Sequence, residues 1–119
     1  MTEQLLKIEE IKYELRKANS NIDKLQTRLQ ANFNYEINWV MKDLFMANEK
    51  KKHHTQTLTM IDKLDGDVDL VIANTIKYHT NFISESYHLR KNSTCEVTNM
   101  TSTWEFEMKM DLIKFYKNL

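Results

Sequence analysis

Residues 8–29 read IEEIKYELRKANSNIDKLQTRL, and the spacing of apolar residues in this stretch decides the fold class. Apolar side chains recur here at steps of three and four residues. They are Ile8, Ile11, Leu15, Ala18, Ile22, Leu25 and Leu29. Because an α-helix completes one turn in 3.6 residues, this spacing places one narrow apolar stripe along a single helix. Such a stripe has to be covered by another helix, either from the same chain or from a partner.

The first predicted helix covers residues 2–53. Thr2 is a suitable N-cap, and three lysines at 50–52 complement the negative end of the helix dipole. After Leu29 the apolar spacing changes to two steps of four, a stutter that unwinds a coiled coil locally without ending the helix. Asn is a poor helix former, so the alternative is a kink near Asn32–Asn34 at which the helix folds back on itself.

A second apolar stripe, from Leu58 to Phe82, predicts a helix over residues 56–90. Gly66 lies inside this stripe. We expect the helix to continue through Gly66, because the stripe keeps its phase there at a cost of about 1 kcal/mol relative to Ala. The alternative is that Gly66 ends a short helix and that Asp67 caps the next one.

A third helix is predicted over residues 103–117, with a start as early as residue 94. Trp104, Met108 and Leu112 recur every four residues, which is helical spacing. The competing prediction is a strand or hairpin near 94–110, where large apolar residues also alternate with charged ones. We favour the helix.

Composition also favours long helices, because the chain has one Gly and no Pro. We therefore expect an all-α fold: an elongated helical bundle formed by residues 1–119 as a single domain, with a long, coiled-coil-like first helix. The alternative is an α+β fold that contains the C-terminal strand or hairpin.

Charge and cysteine content limit the function classes. The 17 basic and 17 acidic residues balance, whereas nucleic-acid-binding proteins usually carry a basic excess. Cys95 is the only cysteine, and no signal peptide or apolar run of ~20 residues is present, so we expect a cytoplasmic, reducing location and no membrane partner. The excess of Lys over Arg is typical of AT-rich genomes, including many phages.

The lengths of the predicted helices suggest a binding surface. At 1.5 Å per residue the first helix would span roughly 78 Å and the second roughly 52 Å, so the early turns of the first would stay uncovered. An exposed apolar stripe marks an interaction site. The candidate partner-binding residues are Leu5, Ile8, Ile11, Leu15, Ala18 and Ile22.

These expectations favour a non-catalytic protein–protein interaction module, such as a scaffold, an adaptor or a small inhibitory or regulatory protein. It would form a homo-oligomer, in an antiparallel or bundle arrangement, or dock onto a protein target. We expect no cofactor.

Two other functions compete with this prediction. The first is a nucleic-acid-associated regulator that uses the basic segment 50–54, with phosphate contacts from Lys50, Lys51 and Lys52. His53 and His54, which follow the lysines, could join these phosphate contacts and are otherwise part of a basic linker. His79 is predicted to be a hydrogen-bonded residue beside the second stripe.

The second alternative is a dimeric metal-binding bundle. Glu85 and His88 lie one helical turn apart, as in the Glu-x-x-His motifs of di-iron carboxylate bundles. Those bundles need two such motifs and further carboxylates, whereas this chain has one, so we expect no metal.

Overall fold

The computed structural model describes residues 2–31, 37–63, 67–92 and 96–119, with side chains described over 2–30, 39–63, 67–83 and 100–119. Within these ranges the chain forms helices and no strand. The helices are α1 (Glu3–Ala31), α2 (Ile37–Lys63), α3 (Val68–Asn92) and α4 (Glu96–Lys117). The prediction of an all-α bundle is confirmed, and the α+β alternative is wrong for residues 96–110, which are helical.

The predicted first helix over residues 2–53 is wrong, because two helices occupy this range. α1 and α2 pack side by side along their lengths as a helical hairpin. Between the last turns of α1 and the first turn of α2, the Arg28 guanidinium lies 5.9 Å from the centre of the Trp39 ring. The alternative of a chain that folds back agrees with this arrangement, although residues 32–36, where the kink was expected, lie outside the described residues.

Folding back buries the apolar stripe inside the chain. Ile11 is completely buried, and Ala18 and Ile22 are also buried. Ile11 belongs to the core that the other helices form. This core contains Ile11, Ile61, Val68, Val71, Ile72, Met108, Leu112 and Tyr116. The expectation that the early turns stay uncovered is therefore wrong from Ile11 onward, while Leu5 remains 49% exposed.

The predicted second helix over 56–90 is also divided. α2 continues to Lys63, and α3 begins at Val68. The alternative is confirmed at Asp67, whose Oδ1 accepts a hydrogen bond from the Leu70 amide at 3.2 Å and so caps α3. Gly66 lies outside the described residues.

The other helix ends agree better with the sequence. Thr2 caps α1 as predicted, since its Oγ1 accepts a hydrogen bond from the Leu5 amide at 3.2 Å. α4 covers the predicted range 103–117 and begins earlier, at Glu96.

α2 and α3 each pack against all three of the other helices. Ion pairs on the surface join the α1–α2 hairpin to the α3–α4 hairpin. They are Lys7–Asp69 at 2.9 Å, Lys42–Glu107 at 2.7 Å and Lys50–Asp111 at 3.4 Å. Exposed pairs of this kind contribute about 1 kcal/mol or less each, so the bundle is held mainly by its buried core. The molecule measures 48 × 36 × 22 Å.

None of the described helices combines the length and the apolar character that crossing a membrane requires.

Candidate binding site

His53 and His54 were predicted to lie in a basic linker, but both are buried residues within α2. Neighbouring residues on a helix point about 100° apart, so His53 and His54 face different helices. The His53 ring contacts His79 of α3, whereas the His54 ring contacts Phe115 and Tyr116 of α4. Because α2 packs against both α3 and α4, its two histidines have separate surroundings.

On the α4 side, His54 belongs to a complete hydrogen-bond chain, which we call the α2–α4 network. The Tyr116 hydroxyl donates to Thr57 Oγ1 at 3.1 Å, and Thr57 Oγ1 donates to the His53 carbonyl at 2.9 Å. The Tyr116 hydroxyl has a single proton, so the 2.7 Å contact with His54 requires that His54 Nδ1 be the donor. His54 Nδ1, the Tyr116 hydroxyl and Thr57 Oγ1 therefore all have partners.

On the α3 side, His53 and His79 form what we call the α2–α3 pair. Their rings meet edge to face, with centres 4.6 Å apart. His53 Nε2 lies 3.4 Å from Glu49 Oε2. His79 is only 1% exposed, and its Nδ1 has no hydrogen-bond partner among the described residues. A buried polar atom without a partner costs about 1–3 kcal/mol, so this atom calls for an explanation.

All three histidines are uncharged at neutral pH. Burial lowers the pKa of His53 and of His54 to about 4, and that of His79 to about 3. Nearby positive charges lower these pKa values further: Lys109 and Lys52 act on His53, and Lys50 acts on His54. At neutral pH the contact between His53 and Glu49 is therefore one between a neutral ring and a carboxylate.

Lys109 of α4 is a buried cation next to this pair. Its side chain is 2% exposed, and Nζ lies 4.3 Å from the centre of the Phe82 ring and 3.8 Å from Glu105 Oε1. Burial lowers the pKa of Lys109, while Glu105 and Glu49 partly oppose that effect. A charge held this deep depends on its aromatic and carboxylate neighbours, since burying an isolated ammonium is very costly.

A pocket of about 600 Å³ opens between α2 and α3 beside the α2–α3 pair. Its walls are mostly apolar, with Met60, Val71 and Tyr78 among them, and His53 and His79 contribute the imidazoles. None of the described residues that line it is acidic. A volume in this range and a mostly apolar lining with a few polar groups are typical of small-molecule sites.

The predicted partner-binding residues do not form an exposed stripe. Ile11, Ala18 and Ile22 are buried, and Ile8 and Leu15 are half-buried. Only Leu5 of the predicted set is exposed, and its neighbour Leu6 is exposed as well.

The predicted phosphate contacts lie in the middle of α2, not at a helix end. Lys50 pairs with Asp111, while Lys51 and Lys52 are exposed. The side chains of Glu85 and His88 lie outside the described residues. Among the side chains that are described, no group of three or more His, Cys, Asp or Glu is placed to hold a metal ion.

Sequence reasoning missed the buried histidines, although their positions carry a signal. His54 comes seven residues after Ala47 and seven before Ile61, and both of those are buried. His79 likewise comes seven residues after buried Ile72, whereas its neighbour Tyr78 is 47% exposed. A seven-residue repeat puts all of these positions on the core side of their helices.

Comparison with known proteins finds no matching family model, curated protein or solved structure.

Proposed function

We propose that this chain is a non-catalytic binding protein that takes a small organic molecule into the pocket between α2 and α3. One observation carries the proposal: the pocket is lined by His79, a buried side chain whose Nδ1 has no partner among the described residues. A ligand that hydrogen-bonds this atom would remove a cost that the unliganded protein bears.

Binding is favoured over catalysis by the state of the histidines. A general base works best when its pKa is close to the operating pH. The pKa values of His53 and His79, about 4 and about 3, make both imidazoles weak bases at neutral pH. They are better suited to uncharged hydrogen bonding than to proton transfer.

The test uses ¹⁵N-labelled protein titrated with indole, an uncharged aromatic probe that fits a pocket of this volume. We expect amide shifts concentrated in residues 53–63 of α2 and 71–79 of α3. Shifts spread evenly over all four helices, or no shift at millimolar indole, would contradict the proposal.

Two matched variants locate the site. Thr59 lines the pocket, whereas Thr80 does not. Both are exposed, and each hydroxyl donates to the carbonyl four residues earlier, at 2.9 and 2.7 Å. Thr59→Trp fills the pocket mouth and should weaken indole binding at least tenfold, while Thr80→Trp should leave it unchanged. Equal effects of the two variants would place the binding elsewhere.

Association with a protein partner stays a prediction, restricted to the exposed start of α1. Leu5 and Leu6 are about half exposed there, at 49% and 52%. The double variant Leu5→Lys, Leu6→Lys should leave the fold intact and abolish any concentration-dependent mass increase in light scattering. Nucleic-acid binding through Lys51 and Lys52 also stays a prediction, and Lys50 is engaged by Asp111.

A further inference from the structure

Three features of the α2–α3 pocket define the chemistry of its ligand: His79 Nδ1, which has no partner among the described residues, the charges around it and the aromatic ring of Tyr78 in its wall. We infer that the pocket takes an uncharged aromatic alcohol, a phenol-type molecule whose hydroxyl bonds His79 Nδ1 and whose ring lies between α2 and α3. This inference rests on the proposed binding function and specifies its ligand class.

The hydroxyl group of the ligand is inferred from His79 Nδ1, which has no hydrogen-bond partner among the described residues. A neutral imidazole nitrogen is either a donor or an acceptor, depending on the tautomer. A hydroxyl can donate and accept, so it satisfies Nδ1 in either state, whereas a carbonyl can only accept. His79 is 1% exposed, so the bonding group has to reach a site from which bulk water is excluded.

The charges around the pocket indicate that the ligand is uncharged. The α2–α3 pair is neutral at neutral pH and therefore offers no full charge to a ligand ion. Lys109 is the buried cation closest to it, and it is already in contact with Glu105 and with the ring of Phe82. Lys63 also lines the pocket, but it is exposed at the end of α2. A carboxylate beside buried His79 would lose its hydration where the nearest buried cation, Lys109, already pairs with Glu105, and a buried ammonium there would face Lys109.

The aromatic side chains around the α2–α3 pair indicate that the ligand contains an aromatic ring. The Tyr78 ring centre lies 5.3 Å from that of His79 and 4.7 Å from that of Phe82, while His53 meets His79 edge to face. Aromatic rings favour such tilted and edge-to-face contacts with one another. Tyr78 also lines the pocket and is half exposed, so a ligand ring would cover apolar surface that is now in water.

The test compares three probes that share one ring system: 2-naphthol, naphthalene and 2-naphthoate. Their affinities for the full chain are measured by isothermal titration calorimetry at pH 7.5. We expect 2-naphthol to bind on the order of tenfold more tightly than naphthalene, because it satisfies a buried nitrogen. 2-Naphthoate should bind most weakly of the three.

A variant assigns the preference to one atom. His79→Leu removes Nδ1 and keeps a similar volume, so 2-naphthol and naphthalene should bind it with equal affinity. His53→Leu is the matched control, because it removes an imidazole that lines the same pocket and leaves His79 in place, and it should retain a preference for 2-naphthol.

The outcomes separate this inference from the function on which it rests. Equal binding of 2-naphthol and naphthalene to the unaltered protein would overturn the inference and leave the binding pocket standing. Tightest binding of 2-naphthoate would also overturn it, in favour of an anion site. No binding of any probe at millimolar concentration would overturn both the inference and the proposed function.

Discussion

The two sides of α2 hold buried histidines in opposite conditions. In the α2–α4 network, His54 bonds Tyr116 at 2.7 Å, and the chain continues to Thr57. In the α2–α3 pair, His79 is equally buried but leaves Nδ1 without a partner among the described residues. The same residue type at the same depth thus has a hydrogen-bond partner on one side and lacks one, within the described part of the chain, on the other.

This difference separates a structural role from a binding role. A satisfied buried polar chain fixes how α2 and α4 fit together, and little is gained by adding a ligand to it. An unsatisfied polar atom beside a pocket leaves stabilisation that a ligand can supply. The α2–α4 network therefore contributes stability, and the α2–α3 pair is the proposed binding site.

Acid should produce the largest change in stability, because it protonates the buried histidines of the α2–α4 network and of the α2–α3 pair together. The unfolded chain protonates its histidines near pH 6.5, while folded His53 and His54 resist protonation until about pH 4 and His79 until about pH 3. The contribution of the neutral histidines to stability is therefore fully present above pH 6.5. It declines below that pH and is lost as the pH falls through the pKa values of the folded state. The neighbouring charges are Glu49 and Glu105 together with Lys50, Lys52 and Lys109.

We expect the free energy of unfolding to fall by about 1–2 kcal/mol per histidine between pH 7 and pH 5. Urea unfolding at the two pH values measures this loss. In His79→Leu the loss should shrink by about a third, since one of the three histidines is gone. A free energy that is the same at pH 5 and pH 7 would show that these histidines are not buried as described.

Removing one hydroxyl from the α2–α4 network should have the next largest effect. Tyr116→Phe keeps the ring and leaves His54 Nδ1 without its acceptor, so the free energy of unfolding should fall by about 1–3 kcal/mol. Tyr78→Phe makes the same chemical change at a half-exposed ring and should alter stability by about 0.5 kcal/mol or less. Chemical unfolding at pH 7.5 compares the two variants, and equal losses would contradict the assignment of stability to the network.

His79→Leu should have a smaller effect on stability, and of the opposite sign. It replaces an unsatisfied buried polar group with an apolar one, so the protein should be unchanged or more stable by about 1 kcal/mol. The same unfolding experiment measures it. A loss as large as that of Tyr116→Phe would mean that His79 has a structural partner.

The smallest expected effect is a change in the pKa values of the α2–α3 pair when Lys109 is replaced. Lys109 lowers the pKa of both His53 and His79, whereas the charges that lower the pKa of His54 are Lys50 and His53. Lys109→Met should therefore raise the pKa values of the α2–α3 pair without raising that of His54. Histidine side-chain NMR, followed down to the pH of unfolding, distinguishes this result from a uniform change.

The sequence predicted the helical class and several helix ends for local reasons. Thr2 and Asp67 have side chains that can accept hydrogen bonds from helix-starting amides, and both serve as caps. The apolar stripe through Ile11 and Ile22 was also identified correctly as a surface that needs covering. These features depend on neighbouring residues and on helical periodicity, which a single sequence contains.

The covering partner and the site could not be predicted in the same way. The stripe is the same whether another part of this chain or a second molecule buries Ile11, so periodicity alone does not separate the two. His54 and His79 were not recognised as core residues because their side chains are polar. Their seven-residue spacing from buried apolar residues was a signal that could have identified them. The hydrogen-bond partner of His54 is Tyr116, which is 62 residues away in sequence, so the sequence around each histidine does not indicate which one has a partner.

The most direct test of the binding role of the α2–α3 pair is a long-range ¹H–¹⁵N NMR spectrum of the histidine rings, recorded with and without saturating 2-naphthol. A new hydrogen bond changes the ¹⁵N shift of the nitrogen that forms it. We predict a clear change at His79 Nδ1 and little change at His54 Nδ1, which is already bonded. An unchanged His79 nitrogen in protein that is saturated with 2-naphthol would contradict the account.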